Sequence, residues 1–291
     1  MRIITSITQS KPFISLEFFP PKEHSEWPAF FRTVDRLTGI DPLFASVTYG
    51  AGGSAHRNTL EIVSRLKRDY GMESMAHLTC IGSECEEIEQ FLDDLTREGV
   101  TNVLALRGDF PQGGPPNIPP LRPLPYASDL VAFIRSRHQE MGIGVAGYPE
   151  THPEAAGPEA DLQALRLKLD QGADFVVTQL FFDTASYVDF VLRARAIGIV
   201  QPIIPGILPV LNLKVINRII SLCGATIPPE YRAALEEADQ SGGAAAVERV
   251  GVAYARRQAE ELLGSGAPGV HLYTLNRAEA VLEIVDGLLT T

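Results

Sequence analysis

The segment FISLEFFPPKE, residues 13–23, sets Glu17 among Ile14, Leu16, Phe18 and Phe19. An ionised carboxylate loses its hydration in such a run, and burying it without a partner is very costly. In a strand, Ser15, Glu17 and Phe19 share one face while Ile14, Leu16 and Phe18 share the other. If the bulky face packs on helices, Glu17 points the opposite way. Its aromatic neighbours then disfavour the charged form and raise its pKa, which suits a proton donor at neutral pH. The competing expectation is a structural ion pair between Glu17 and Arg107, contributed by another strand.

Other polar residues fall at the ends of short apolar runs: Thr48 and Tyr49, His77 and Thr79, Arg107 and Asp109, Tyr148 followed by His152, Gln179, and Tyr273, Asn276 and Arg277. Any one of them could sit there simply because strands end at the surface. Seven ends together point to a shared site. GAGGSA, 50–55, fits the loose dinucleotide pattern G-x-G-x-x-A, but the next run ends in His77, Leu78, Thr79 and Cys80, without the acid that would grip a ribose. It reads instead as a glycine loop that lets a flat ligand approach the backbone. YPETHPEA, 148–155, offers Glu150, His152 and Glu154 on a proline-containing loop without fixed facing geometry, so no metal is expected. None of Lys11, Lys22, Lys67, Lys168 and Lys214 ends a strand, which disfavours Schiff-base chemistry.

The elements that must position these groups are short β-branched or aromatic runs: FISLEFF (13–19), LFASVTY (43–49), SMAHLTC (74–80), NVLALRG (102–108), GVAGY (144–148), FVVTQLF (175–181), PIIPGIL (202–208) and GVHLYTL (269–275). Between them lie helical patterns such as NTLEIVSRLKRDYG (58–71) and SYVDFVLRARAIG (186–198), closed by Gly. Alternation of strand and helix means parallel pairing through crossovers. Eight such units predict an α/β fold, a (β/α)₈ TIM barrel with extra helices between strands 7 and 8, in the region from about 209 to 268. A doubly wound sheet is the alternative. In a barrel the strand ends form the C-terminal mouth where active sites lie. PQGGPPNIPPLRPLP, 111–125, is a loop too long for a plain βα turn.

With 291 residues the chain suits one barrel, and no composition shift marks a second domain. A net charge of -11 argues against nucleic acid as a partner. Cys80, Cys85 and Cys223 form no C-x-x-C pair, which fits a reducing cytoplasm. The N-terminus lacks the apolar core of a signal peptide. The apolar stretch 196–213 is broken by Pro202, Pro205 and Pro209, so no membrane span is expected.

Eight blocks in order, LEFFPPK (16–22), VTYGAGG (47–53), HLTC (77–80), LRGD (106–109), YPETHPEA (148–155), TQLFFD (178–183), PGILP (205–209) and YTLNRAE (273–279), resemble the methylenetetrahydrofolate reductases, from near residue 13 to near residue 280. The resemblance, to bacterial-type members, implies a single FAD-binding (β/α)₈ catalytic domain over residues 1–291. It would take hydride from NADH or NADPH onto FAD and pass it, in ping-pong order, to 5,10-methylenetetrahydrofolate, giving 5-methyltetrahydrofolate. A cytoplasmic homo-oligomer serving one-carbon metabolism and methionine biosynthesis is implied as well.

Carried over by position, Glu17 matches the general acid that protonates the folate's N10. Asp109 matches an aspartate near flavin and pterin that acts on both. Gln179, Tyr273 and Arg277 match folate contacts, the last suited to a carboxylate. Thr48, Tyr49, His77, Leu106, Arg107, Gly108, Asp109, Tyr126, Ala127, Tyr148, His152, Asp161 and Lys168 match flavin-contacting positions. Asp161 and Lys168, seven apart in DLQALRLK, fall on one helix face. The sequence departs from the family pattern at Ala164, where relatives are polar, and at Ile219, where some members have an aromatic. The chain ends soon after the last helical pattern, so the regulatory extension of eukaryotic members and inhibition by S-adenosylmethionine are not expected. Another flavin barrel, similar to proline dehydrogenase, and a non-catalytic folate- or flavin-binding module remain the alternatives; neither needs an acid at Glu17.

Overall fold

The computed structural model describes residues 1–9, 12–49, 53–109 and 123–289. Each of the eight apolar runs holds strand structure: β1 (Phe13–Phe18), β2 (Ala45–Val47), β3 (Ser74–Thr79), β4 (Asn102–Leu106), β5 (Gly142–Gly147), β6 (Phe175–Thr178), β7 (Ile203–Ile204), β8 (Gly206–Ile207) and β9 (Gly269–Tyr273). The seventh run is split at Pro205, which has no N–H to give to a ladder. All pairings are parallel, in the order β7-β6-β5-β4-β3-β2-β1-β9-β8. Because β7 bonds to β6 and β8 bonds to β9, the split run joins the two ends of the sheet into a nearly closed barrel. The Pro205 carbonyl contributes to this seam by accepting from His271 N at 2.9 Å.

Helices α2 (Trp27–Leu37), α3 (Gly53–Tyr70), α4 (Cys85–Arg97), α5 (Ala127–Arg137), α6 (Pro158–Asp170) and α7 (Thr184–Ala196) follow successive strands. The predicted extra helices are α8 (Leu213–Cys223) and α9 (Pro229–Gly264), before α10 (Ala278–Val285) ends the series. The long α9 is interrupted at Gly243, whose φ of 60° and ψ of -154° leave the helical region. No helix among the described residues is long and apolar enough to cross a membrane.

Alternation along the strands sorts the core into two shells. Leu16, Phe18, Val47, Leu78, Val103, Val145, Val176 and Leu272 face outward onto helix residues such as Phe30, Val34, Ile62, Leu66 and Leu92. Phe13, Phe44, Met75, Leu104, Phe175, Val177 and Ile204 fill the interior. The inner shell is completed by Ile3 and Ile7 of a further helix, α1 (Ile3–Gln9), which the periodicity does not reveal. So short a helix has no stability of its own and forms because tertiary contacts hold it. Asn102 Oδ1 accepts from Ile3 N at 2.8 Å, while its amide nitrogen donates to Met1 O and Glu73 Oε1, both at 3.0 Å. Burial of Ile3 adds about 2 kcal/mol. A separate cluster seats α8 and α9 beside the ends of β6 and β8, through Leu180, Phe182, Leu208, Ile216, Tyr231 and Leu235. Ile219 packs on this cluster, and Ala164 stands exposed on α6.

Candidate active site

At the C-terminal end of β1 the alternation predicted from the sequence holds: Ser15 and Glu17 face inward and Leu16 and Phe18 outward. Glu17 is only 4 % exposed. Its side-chain contacts converge on Oε2, which lies 3.2 Å from His77 Nε2 on β3 and 3.3 Å from His271 Nε2 on β9. Ser46 Oγ on β2 donates to the same oxygen at 3.4 Å. The backbone is held too, since Thr274 N and Oγ1 donate to Glu17 O at 3.1 and 2.6 Å. Burial alone would raise the Glu17 pKa, but the charge and hydrogen bonds of His77 and His271 outweigh it and bring it from 4.5 to about 2.

That reverses the upward shift expected from Glu17's neighbours in sequence. Phe18 is adjacent in the chain but faces the helices, so the groups that surround the carboxylate come from three other strands. The expected pairing with Arg107 is also overturned. Arg107 Nη1 pairs with Glu154 Oε2 at 2.5 Å.

Tyr273 shares the inward face of β9 with His271, its ring meeting the imidazole edge to face at 5.7 Å between centroids. Its hydroxyl donates to Thr178 O at 2.8 Å. Burial first, then Glu17, raises its pKa well above 10. A side chain at Gly206 would come within 2.7 Å of the Tyr273 oxygen, so the glycine makes room for the ring. Beside it, Gln179 N donates to Gly147 O at 2.7 Å, and its own Oε1 accepts from Leu180 N at 2.9 Å. Asn276 ties the ends of β1 and β9 together: Phe19 N donates to its Oδ1 at 3.1 Å and its amide donates to Phe19 O at 2.7 Å. Arg277, half exposed at the start of α10, is drawn to Glu248 of α9 at 3.3 Å.

A second group lines the ends of β4 and β5. The rings of Tyr148 and His152 meet edge to face at 4.6 Å. Asp161 Oδ2 on α6 accepts from His152 N at 3.0 Å. Lys168, one helix face along, donates from Nζ to Ala146 O at 2.5 Å. Burial lowers its pKa to about 8 against the opposing pull of Asp161. Burial, then the carboxylates of Asp109 and Asp161, pushes Tyr148 up to about 12. Gly108 sits at φ +87°, where a Cβ would stand 2.7 Å from Ile81 Cγ2. Leu106 packs partly buried against the inner shell. Thr48 N donates to Phe18 O at 3.0 Å, and Thr48 O accepts from Thr59 Oγ1 at 3.1 Å. Tyr126 is exposed and caps α5, which Ala127 begins.

Tyr49 stands apart from these groups. Its ring packs against His56 and Phe91, at 4.6 and 6.2 Å, on the helical side of the wall. The carboxylates of the YPETHPEA loop make structural bonds, Glu150 with Thr226 N and Glu154 with Arg107. A narrow cleft lined by Tyr148, Thr151, Gln179 and Cys223 lies between the two groups of residues. A hollow of about 380 Å³ lies away from them, between α3 and α4 against His56, Leu60 and Phe91. Gly50, Ala51 and Gly52 of the glycine loop and residues 111–122 of the proline-rich loop lie outside the described residues.

Residues 2–288 match the family described as Methylenetetrahydrofolate reductase. The chain belongs to that family. It is 41 % identical over 296 residues to methylenetetrahydrofolate reductase (NADH) 1 of Arabidopsis thaliana, covering 98 % of this chain and 50 % of that protein. To 5,10-methylenetetrahydrofolate reductase of Escherichia coli strain K12 it is 38 % identical, over 91 % of this chain and 87 % of that one. A probable methylenetetrahydrofolate reductase (NADPH) of Caenorhabditis elegans is 35 % identical, over 99 % of this chain and 44 % of that protein. The chain thus spans about half the length of the plant relative or less of the nematode one, and most of the bacterial one. In fold it is similar to a Clostridium thermocellum protein described as binding two copies of 5-methyl-5,6,7,8-tetrahydrofolic acid, with a TM-score of 0.70, 14 % identity and coverage of 99 % and 100 % of the two chains.

In this chain, sequence reasoning missed three residues of the cluster built on Glu17: Ser15, Ser46 and His271. The signal was present for two of them. Ser15 lies on Glu17's face of FISLEFF, and His271 lies on Tyr273's face of GVHLYTL, so period two already places both inside the barrel. Ser46 is opposite Glu17 only through the β1–β2 register.

Proposed function

We propose that this chain reduces 5,10-methylenetetrahydrofolate to 5-methyltetrahydrofolate with hydride from NADH or NADPH, by a ping-pong reaction dependent on FAD, with Glu17 as general acid. The observation that carries this reading is the inward carboxylate at the end of β1, within 3.2 and 3.3 Å of two imidazoles. Reductive opening of the folate's five-membered ring consumes a proton at N10. A non-catalytic binding module has no use for a buried group that exchanges one, and neither does a proline dehydrogenase-like barrel.

The side chains at the ends of β4 and β5 fit FAD by their chemistry. Arg107, His152 and Lys168 supply cations or donors suited to a diphosphate, and Tyr148 supplies an aromatic face. Thr48, His77, Leu106, Arg107, Gly108, Asp109, Tyr126, Ala127, Tyr148, His152, Asp161 and Lys168 would hold it; Tyr49 is left out because its ring packs on the helices. When bound, FAD supplies a two-electron carrier between the nicotinamide and the folate.

The chain's own residues do the rest. Glu17 delivers a proton to N10; the N10–methylene bond breaks with its electron pair going to that nitrogen, and the opened iminium is the hydride acceptor. Gln179 and Tyr273 orient the pterin, and Asp109 hydrogen-bonds it while placing negative charge near the flavin. Arg277 exchanges its weak pairing with Glu248 for a carboxylate of the folate tail. Names of relatives support both nicotinamides, and we leave the donor as either. We read residues 1–291 as one catalytic domain, acting as a cytoplasmic homo-oligomer without nucleic-acid or membrane partners; the net charge of -11 supports the exclusion of nucleic acid.

The test is spectroscopic. Protein supplied with FAD should be yellow, bleach anaerobically with NADH or NADPH, and regain colour on addition of methylenetetrahydrofolate with 5-methyltetrahydrofolate as product. A colourless protein without affinity for FAD, or bleached protein that the folate leaves unchanged, refutes the reading.

A further inference from the structure

The loop that follows β5, from Tyr148 to Ala155, is held from three sides. Both carboxylate oxygens of Glu150 accept from Thr226 N, at 3.2 and 3.1 Å, which ties the loop to the segment between α8 and α9. His152 N donates to Asp161 Oδ2 of α6 at 3.0 Å. On the third side Arg107, at the end of β4, reaches Glu154. Thr151 sits at φ 75°, a left-handed conformation that a β-branched residue keeps where its surroundings fix it. Within the loop, Glu154 N donates to His152 Nδ1 at 3.0 Å, so a neutral His152 carries its proton on Nε2. These bonds set the backbone without help from the Glu154 side chain.

That side chain differs from the other anchors. It is 58 % exposed and meets Arg107 Nη1 through Oε2 at 2.5 Å, whereas the Arg107 side chain is 18 % exposed and turns Nε to Gly108 O at 3.3 Å. The hydrogen bond to Arg107 holds the Glu154 carboxyl below its usual value, and the same bond raises the guanidinium's, so both partners are charged. A guanidinium fork takes a carboxylate or a phosphate by the same geometry. Around the ends of β4 and β5 the carboxylates of Asp109, Glu154 and Asp161 already outnumber the cations Arg107 and Lys168. A diphosphate entering this set brings more negative charge, and like charges at close range repel. Asp161 is fixed between His152 N and Lys168. Glu154 is the carboxylate with open water to turn into.

We propose that Glu154 is a placeholder for the diphosphate of FAD: it occupies Arg107 in the cofactor-free chain and is displaced into solvent when the diphosphate takes the guanidinium. The proposal rests on the reading of this region as the FAD site and deepens it. The exchange needs a rotation of one side chain, since the bonds of Glu150, His152 and Glu154 N stay in place. One ion pair is given up and another forms, with no covalent bond changed and no proton moved. Before FAD arrives, the pair spares a largely buried guanidinium from standing without a counter-charge and keeps it aimed at the loop. Breaking it sets an upper limit on cofactor affinity. Glu154 is therefore a positioning residue that acts through Arg107.

Glu154→Gln keeps the length of the side chain and the backbone bond to His152, and removes the charge that competes with the diphosphate. FAD titrated into the flavin-free chain of 291 residues, followed by quenching of flavin fluorescence, should bind the variant about two- to fivefold more tightly than the unaltered chain, the range expected from releasing an exposed ion pair. The gain should shrink as salt is raised, because the competing charges are open to water. Equal or weaker binding by the variant overturns the proposal, and so does a gain that salt leaves unchanged. If the unaltered chain binds FAD and Glu154→Gln gains nothing, the role of Glu154 alone falls. If the unaltered chain has no affinity for FAD, the assignment of the cofactor falls and takes the proposal with it. None of these measurements needs turnover.

Discussion

Glu17→Gln preserves the shape of the side chain and one carbonyl acceptor for Ser46, His77 and His271 while removing both the charge and the transferable proton. Two separable effects follow from the geometry. The first is on stability against pH. The folded-state pKa of Glu17 is held at about 2, below its ordinary 4.5, so the carboxylate contributes stability that is fully present above about pH 4.5 and lost as pH falls toward 2. The difference corresponds to roughly 3 kcal/mol. Urea titrations of the wild type across that window should show this loss, and titrations of the variant should lack it.

The second effect is on chemistry. Loss of a general acid slows its step by roughly 10²- to 10⁴-fold, or about 3 to 5 kcal/mol of barrier. Rapid mixing of prereduced variant with methylenetetrahydrofolate isolates that step, and mixing of oxidised variant with NAD(P)H isolates the other, which needs no proton from Glu17. Reoxidation should slow by that factor and reduction should not. Equal reoxidation rates for variant and wild type would refute the role of Glu17 and leave it as the anionic member of a structural cluster with the two histidines.

Asp109→Asn removes a negative charge close to the proposed flavin site and should raise the reduction potential of bound flavin; a potentiometric titration that finds no change would place Asp109 away from the ring. Gly108→Ala forces a side chain to φ +87° and against Ile81, so it should cost about 1 to 3 kcal/mol in urea unfolding and weaken FAD binding, and an unchanged midpoint would contradict the packing described. Asn102→Ala removes the two hydrogen bonds from Asn102 to Met1 and Ile3, together with its bond to Glu73, and should cost roughly 1 to 3 kcal/mol, with faster proteolysis of residues 3–9; equal protease resistance would show that the remaining contacts of residues 1–9 hold α1 without it.

Much of the fold was legible because its signals are local. The β-branched runs, the helical spacing after each and the surplus of helix before the last strand predicted a barrel with an insertion, and the structure has one. Pro205 split the seventh run for a reason visible in its chemistry. α1 was not legible: seven residues carry little periodic signal, and what holds them as a helix is distant in sequence, the interior cluster around Ile3 and Ile7 and the bond from Ile3 N to Asn102, a hundred positions away. In the site, Tyr49 and the expected Glu17–Arg107 pair show the same limit: the Tyr49 ring turns to the helices, and Arg107 is paired with Glu154 rather than with Glu17.

Glu17 divides the two kinds of information most sharply. That it faces inward follows from the alternation of six residues, a consequence of backbone geometry that every strand shares and that needs no other part of the chain. What it faces was decided elsewhere. The parallel register sets Glu17 opposite Ser46 and Tyr273 and Ser15 opposite His271, and barrel closure brings His77 in from β3. An apolar sequence context predicted a carboxyl pushed toward neutrality, whereas the assembled barrel surrounds it with imidazoles and holds it ionised. Electrostatic energy falls off over a few ångströms of space, so the pKa of a buried group is set by whichever residues the tertiary fold places against it, however far apart they stand in the chain.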